Sequence, residues 1–599
     1  MSKQNQNRKS SNGGNQNTSY QKGGNNANGR PSNSNRGKNR VKSSKPKTPN
    51  ANGNNEDKVA QQIMKDARSG KFNDINDFLR NPELLRAAAT IPVFPILGRK
   101  VGQLDPVPGV MQIAWVPSFG NLDLGPTQTY GDPAGVFSAV TASKAPVALN
   151  QAADSTYSFL VHANSRNYSY NSSDLFMLIL AGGQVFTIIE SMKRAFGVAK
   201  RYLETSAYSP DTLLVAMGFD PNDLRANLGQ AWFDLNNLII QTRQIWVPSV
   251  FPIITRWMDM NSNLYKDSEG PYAQTYVFVQ ERFFKYTETT YSQGGALIPA
   301  KDPTSTSNEE FTPVLKEHKW STWVAVCQDM INALIESEDR GIIYGDLLNA
   351  YTAERIIALP EVSVDYTVEP EYTPEVSMQI ENLSVGLDES DPMGLVQVNN
   401  RLFPLFSKYI YGNTGNLTRS RACGSNGPLN FHITSDPTPE MILTATRFMD
   451  LGVRAAKVFA SNPLEDAAGT DLSTKLVNAY VPITRGSEYI SHVFIFDKPS
   501  TFNGTTWTGP IRPELRLAGS NPSSDTWKLV SFNWHPFIQK MIQTEAIAKV
   551  TDDDAKAGTV IDNPIGTTFG DHDKYTDIVW QELQKINDAA ELSLYGVPQ

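Results

Sequence analysis

The chain has 599 residues and a formal charge of -8, but the charge is unevenly distributed. Met1 to Asn55 contains eleven Lys or Arg and no Asp or Glu, so this arm carries +11 and the other 544 residues carry -19. Two cysteines, Cys327 and Cys423, exclude a disulfide scaffold. No secretory signal is recognisable, and the longest apolar run, Leu175–Ala181, is too short for a membrane helix. We therefore expect a soluble, cytosolic protein.

The basic arm is the most informative feature of the composition. It holds fifteen Asn and few apolar residues, so it cannot bury enough surface to offset its ordering entropy, and we predict that it is disordered. A flexible polycation binds nucleic-acid phosphates by counterion release, without reading sequence. A solubilising tail or a localisation signal at Arg36 to Lys47 is the alternative. The predicted nucleic-acid-binding residues are Lys3, Arg8, Lys9, Lys22, Arg30, Arg36, Lys38, Arg40, Lys42, Lys45 and Lys47.

The first half of the body is predicted to be mainly helical. An amphipathic helix is expected at Asp57–Ser69 and two short helices within Asn73–Thr90, with Asn81 as N-cap and Pro82 as first helical residue. Ile91–Gly135 is rich in Pro and Gly and is predicted to be extended and irregular.

Between Asp154 and Gln280 the helical signal is strongest. A helix capped by Ser173 or Asp174 should run to Arg201, with Gly182 and Gly183 as its weak point, since glycine lowers helix propensity. Two further helices are predicted at Asp211–Met217 and Pro221–Gln244.

The second half alternates between strand and helix signals, with a polar break at Lys301–Glu310. Alternating apolar residues and turn residues predict β-structure at Tyr272–Phe284, Val362–Val385 and Tyr480–Leu517. Apolar residues at helical spacing predict helices at Glu317–Glu338, Pro437–Ser461, Pro536–Val550 and Lys574–Tyr595.

No motif points to catalysis. The phosphate-binding loop, the dinucleotide fingerprint and HExxH are absent, and no two of the six His lie within ten residues of each other. Cys423–Gly427 is better interpreted as a Gly-rich turn than as a nucleophile elbow, and Cys327 as a buried inert thiol. Asp388–Asp391, Asp552–Asp554 and Asp571–Asp573 are interpreted as solvated segments rather than cation sites. We predict no catalytic residue, no metal and no cofactor.

Four motifs carry a resemblance when taken in order. They are Pro108–Met111 leading to Trp115–Ser118, Val161–Ser165 continuing through Asp174–Met177, Ala216–Asp220 with Leu224, and Arg256–Asp259 followed by Tyr272–Tyr276. Over roughly residues 105 to 290 their order resembles the capsid proteins of picobirnaviruses, which enclose a segmented double-stranded RNA genome. The later half matches in length and character only.

The resemblance implies an α+β fold with a predominantly helical shell domain, a β-containing projecting region and the disordered basic arm. The expected division is 1–55 as the RNA-facing arm, 56–300 as the helical shell, 301–525 as the projecting region and 526–599 as C-terminal helices returning to the shell. It also implies homodimers that assemble in the host cytoplasm into a closed icosahedral virion. Viral RNA is the expected partner of the arm, and a host membrane is a further partner during infection.

Two other functions stay open at this point. A non-shell RNA-binding nucleoprotein would also use the basic arm, and an enzyme is the third hypothesis, although no group of residues supports one. The resemblance also allows the arm to be trimmed by the protein itself, for which Asn54-Asn55 is the candidate position.

Overall fold

The computed structural model describes the chain in segments. Contacts divide it into two compact units, Met1–Leu85 and Arg86–Gln599. The structure describes residues 65, 82–89, 109–120, 147–165, 170–201, 209–269, 273–289, 294–307, 309–385, 392–398, 400–406, 426–449, 453–459, 476–482, 486–496, 516–518, 526–542, 565–569 and 574–597. Of the helix predicted at Asp57–Ser69, only Lys65 is described, and it is helical.

Helices make up most of the described chain before residue 265 and recur in the second half. They are α1 Pro82–Ala89, α2 Val147–Asn164, α3 Ser172–Arg201, α4 Ser209–Ala216, α5 Pro221–Ala226, α6 Leu228–Thr242, α7 Pro252–Ser262, α8 Trp320–Ile335, α9 Arg340–Tyr351, α10 Pro374–Glu381, α11 Pro439–Ala445 and α12 Trp580–Leu594. Short 3-10 turns cover Ala353–Arg355 and Thr526–Ser531.

The strands form several small sheets. They are β1 Val110–Pro117, β2 Tyr265–Lys266, β3 Thr275–Gln280, β4 Phe284–Thr289, β5 Gly294–Pro299, β6 Pro392–Val398, β7 Arg401–Phe406, β8 Asn426–Phe431, β9 Val453–Phe459, β10 Leu476–Pro482, β11 Glu488–Phe496, β12 Arg516–Ala518, β13 Ile538–Ile542, β14 Ile565–Phe569 and β15 Lys574–Val579. The sheet orders are β11-β1-β3-β2, β4-β5-β6-β7, β12-β13-β14, β10-β9 and β15-β8.

Strand β1 lies at the centre of the first sheet. It runs parallel to β3, with Val110 opposite Thr275, and antiparallel to β11, with Val110 opposite Phe496. All eight of its residues are buried. The prediction that Ile91–Gly135 is irregular is therefore wrong over β1. Because the strand is covered on both faces, its sequence is apolar except for buried Gln112 and lacks the alternation that marks a half-exposed strand.

Helix α3 is the core of the body. Every residue from Leu175 to Ala199 is buried, and the helix packs against α2, α6, α7 and α8. By length and composition α3 could cross a membrane, but its apolar stretch is wholly buried inside the fold, as expected of a core helix. The predicted helix from Ser173 or Asp174 to Arg201 is confirmed.

Gly182 and Gly183 do not interrupt α3. A Cβ atom added at Gly182 would lie 2.5 Å from Val247 Cγ2 and 2.9 Å from Ile245 Cγ2, and one at Gly183 would lie 3.2 Å from Ile254 Cγ1. The glycines therefore let the following chain approach the helix axis closely. The lower helix propensity is offset by packing that no larger residue would allow.

Arg194 fastens α3 to its neighbours. Its side chain is 1% exposed. Nη1 donates to Met260 O and Asn263 O, both at 3.1 Å, and Nη2 donates to Phe278 O at 2.9 Å. Burial lowers the pKa of the guanidinium to about 9. Three carbonyls thus hold a buried cation where the end of α7 meets β3.

Several predicted elements are confirmed. The helix starting at Pro82, helix α8 and strand β3 occur within their predicted ranges, and α4 overlaps the predicted Asp211–Met217 but begins two residues earlier, at Ser209. The helix predicted at Pro221–Gln244 occurs as α5 and α6, separated at Asn227, whose φ of -119° and ψ of 23° are not helical. Described strands β10 and β11 agree with the β-structure predicted at Tyr480–Leu517.

Four predictions in the second half are wrong in whole or part. Pro437–Ser461 is not one helix, because α11 ends at Ala445 and β9 follows, paired with β10. Val362–Val385 contains helix α10, which starts with Pro374 at its first position. The described start of Pro536–Val550 is strand β13, and Lys574–Tyr595 begins as β15 before α12. In the three regions that form strands instead of helix, the strand is stabilised by pairing with another segment of the chain: β9 with β10, β13 with β14, and β15 with β8.

Gly182→Ala should lower the free energy of unfolding by about 1 to 3 kcal/mol, because the new methyl group clashes with buried Val247. Gly229→Ala in α6 is the matched control. Nothing lies within 4 Å of its added Cβ, so it should raise stability by up to about 1 kcal/mol. Urea unfolding of both variants tests this, and equal stability of the two would contradict the close packing described at α3.

Candidate assembly and genome-contact sites

The predicted genome-contact residues lie outside the described residues. This holds for all eleven: Lys3, Arg8, Lys9, Lys22, Arg30, Arg36, Lys38, Arg40, Lys42, Lys45 and Lys47. The acidic segments Asp388–Asp391, Asp552–Asp554 and Asp571–Asp573 also lie outside them. Their roles stay predictions.

An acidic segment crosses the surface of the described body. From Ile356 to Asn400 the sequence contains no Lys or Arg. Its carboxylates at Glu361, Asp365, Glu369, Glu371 and Glu375 are exposed. Among the described residues, two of them form ion pairs with a neighbouring element: Glu361 Oε1 lies 2.6 Å from Arg243 Nη2, and Glu369 pairs with Arg201. A surface with this excess of negative charge repels a polyanion, so it is a poor place for RNA.

Helix α6 presents apolar side chains to solvent beside this segment. Phe233 and Ile240, seven residues apart on one helix face, are 59% and 47% exposed. Trp232 Nε1 donates to Val362 O at 2.8 Å and so holds the acidic segment against α6, where Val364 is also exposed. Large exposed apolar groups gathered on one face are typical of protein contact surfaces, which makes this a candidate contact between copies.

A buried ionic cluster joins β11 to the end of β3. Glu281 Oε2 accepts from Ser491 Oγ and lies 3.3 Å from His492 Nδ1, while Arg282 Nε donates to Glu310 at 2.7 Å. Burial by itself would raise the pKa of Glu281. The hydrogen bond from His492 and the charge of Arg282 outweigh it and lower the pKa to about 2.

This cluster brings together a serine, a histidine and a carboxylate, but not in a catalytic order. Ser491 donates directly to Glu281 rather than to His492, so the imidazole is not placed to take the serine proton. Cys327 is fully buried, and burial raises the pKa of its thiol, as predicted for an inert cysteine. Among the described residues no group of three or more metal ligands occurs. The cluster stabilises the contact between β11 and the end of β3.

Sequence reasoning missed this cluster. Glu281 and His492 are more than two hundred residues apart in the chain, and neither lies in a recognisable motif. Only the pairing of β1 with both β3 and β11 brings them together. A second pair, His432 Nε2 and Glu381 Oε1 at 2.7 Å, also joins residues that are distant in the sequence.

Comparison with known proteins shows which family this chain resembles. The family model of the picobirnavirus capsid protein matches residues 106–498. A capsid protein precursor of human picobirnavirus (strain Human/Thailand/Hy005102/-) is 25% identical over 336 residues, which are 53% of this chain and 55% of the relative. The chain thus spans about half the length of that curated relative.

The fold is shared with a solved structure. The X-ray crystallographic structure of the picobirnavirus capsid superposes with a TM-score of 0.61 at 20% identity, covering 86% of this chain and 97% of that chain. The α+β fold class is therefore confirmed.

These matches define a class, that of viral capsid proteins. The family match covers well over half of the residues, and the chain belongs to the picobirnavirus capsid protein family.

Glu281→Gln should remove an acid-sensitive part of the stability. Because folding depresses the pKa of Glu281 from 4.5 to about 2, its contribution is present above pH 4.5 and is lost as the pH falls to about 2. At neutral pH the variant should be destabilised by about 3 kcal/mol, and the difference from the wild type should shrink on acidification. Exposed Glu354→Gln is the control, and a difference that does not depend on pH would rule out this origin.

Proposed function

We propose that this chain is a capsid subunit that assembles through homodimers into a closed icosahedral shell around a double-stranded RNA genome. The family match over residues 106–498 carries the proposal. The acidic surface at 361–375 and the exposed face of α6 support it. The folded body of a shell subunit needs surfaces that contact other copies, and it does not need to bind RNA itself. Assembly in the host cytoplasm and contact with a host membrane during infection belong to the same proposal.

We also propose which part of the chain performs each role. Residues 1–55 contact RNA, 56–300 and 526–599 form the shell, and the projecting region lies within 301–525. The main hydrophobic core includes Trp323, Leu402 and Ile495 from the last range. Many further residues of 301–525 belong to the same core, so any projection would be built from residues of this range that lie outside the core.

Deleting Met1–Asn55 should leave particle formation intact and reduce RNA uptake, because the body holds the assembly surfaces and the arm holds the positive charge. Electron microscopy of the full and truncated chains tests assembly, and absorbance at 260 and 280 nm of purified particles tests RNA content. Uniform shells support the capsid proposal. A small soluble body that loses all RNA binding with the arm, and full-length protein that forms no shells, would instead identify a nucleoprotein.

The salt dependence of RNA binding should report the arm charges. If all eleven engage phosphates, the log-log slope should approach about 8 to 10 in magnitude, and neutralising Arg36, Lys38, Arg40 and Lys42 with Gln should reduce it by about 3 to 4. Gln at the exposed body lysines Lys316 and Lys585 is the control and should leave the slope unchanged. Equal slopes for the arm variant and the wild type would remove the arm from the RNA contact.

A further inference from the structure

One face of helix α12 buries polar side chains against the rest of the body. Asn587, Glu591 and Tyr595 are four residues apart, so they line one side of the helix, and their exposed fractions are 0%, 3% and 1%. Residues of this kind are rarely buried without full pairing. The way they are paired therefore decides how α12 stays docked.

Three elements supply the groups opposite this face. Glu488 of β11 is 3% exposed, and its Oε1 lies 2.8 Å from Arg256 Nε of α7. Arg447, after α11, donates from Nη2 to Asn587 Oδ1 at 2.8 Å and from Nε to Leu443 O at 3.2 Å. Arg447 thus binds neutral oxygens, and Glu591 is left without a direct cationic partner among the described residues.

Several buried atoms of this cluster make no hydrogen bond. They are Arg256 Nη2, Glu488 Oε2, Asn587 Nδ2, Glu591 Oε1 and Tyr595 OH. An ionised Glu591 would add an uncompensated buried charge near that of Glu488, whereas a protonated Glu591 is neutral and offers an O–H donor to a cluster that has free acceptors. We propose that Glu591 carries a proton when α12 is docked, and that loss of this proton releases α12 from the body.

The surrounding charges support this assignment. Burial and the charge of Asp588 raise the pKa of Glu591 well above 4.5, Arg447 opposes this, and Glu488 adds to it. Burial together with Glu591 and Glu488 also raises the pKa of Tyr595, so the phenol stays neutral. With Arg256 on Glu488, these are the titratable and charged groups that face Glu591 in the described structure.

The direction of the pH effect follows from the raised pKa. Docking takes up a proton, so it is strongest below the ordinary carboxyl pKa of 4.5 and weakens as the pH rises towards the raised pKa. One proton bound per docking event makes the opening equilibrium of α12 increase about tenfold for each pH unit in that window.

Hydrogen–deuterium exchange of the full chain tests this, read from peptides covering residues 580–597 and corrected for intrinsic exchange. As the pH rises above 4.5, wild-type protection in α12 should fall, by up to about tenfold per unit, while peptides from α3 should not change in parallel. Constant protection of α12 in the wild type would overturn the proposal without any variant.

Glu591→Gln sharpens the test, because its amide stays neutral and keeps a donor. This variant should stay protected at about pH 8, whereas Glu582→Gln, at an exposed position of the same helix, should lose protection as the wild type does. A Glu591→Gln chain that opens with the wild-type pH profile would contradict the assignment of the proton to Glu591.

Discussion

A thirty-residue helix buried on every side constrains the whole body. Because α3 exposes no face between Leu175 and Ala199, each neighbour has to cover it, and four helices do so. Gly182 and Gly183 set how close two of these contacts come, and Arg194 ties the far end to α7 and β3. The small sheets then close the remaining sides. The fold is thus organised around one long element rather than around a large sheet.

Sequence patterns predicted the elements whose signals are local. Helix α3 is long and mostly apolar, α8 has apolar residues at helical spacing, and the Pro82 start is marked by the residue itself. The order of four motifs predicted the family, which the comparisons then confirmed. The charge split of the chain is visible only in sequence, and it is the basis of the proposed RNA contact.

The remaining features depend on partners far along the chain. The apolar run of β13 fits a helix as well as a strand, and pairing with β14 decides between them. Strand β1 lacks alternation because it is covered on both sides. Polar side chains also depend on distant partners. The pKa of Glu281 is shifted by His492 and that of Glu591 by Glu488, and neither partner is close in the sequence.

The pairing of β1 with β11 has a consequence for synthesis. Val110 emerges from the ribosome long before Phe496, its partner across the sheet, and the antiparallel edge of β1 cannot be completed until then. Contacts of such sequence separation form late, because a long loop has to close first. A growing chain therefore lacks this part of the central sheet until β11 has been made. Fold topology in this way delays completion of the body, and of any contact between copies that depends on it, until the residues of β11 have left the ribosome.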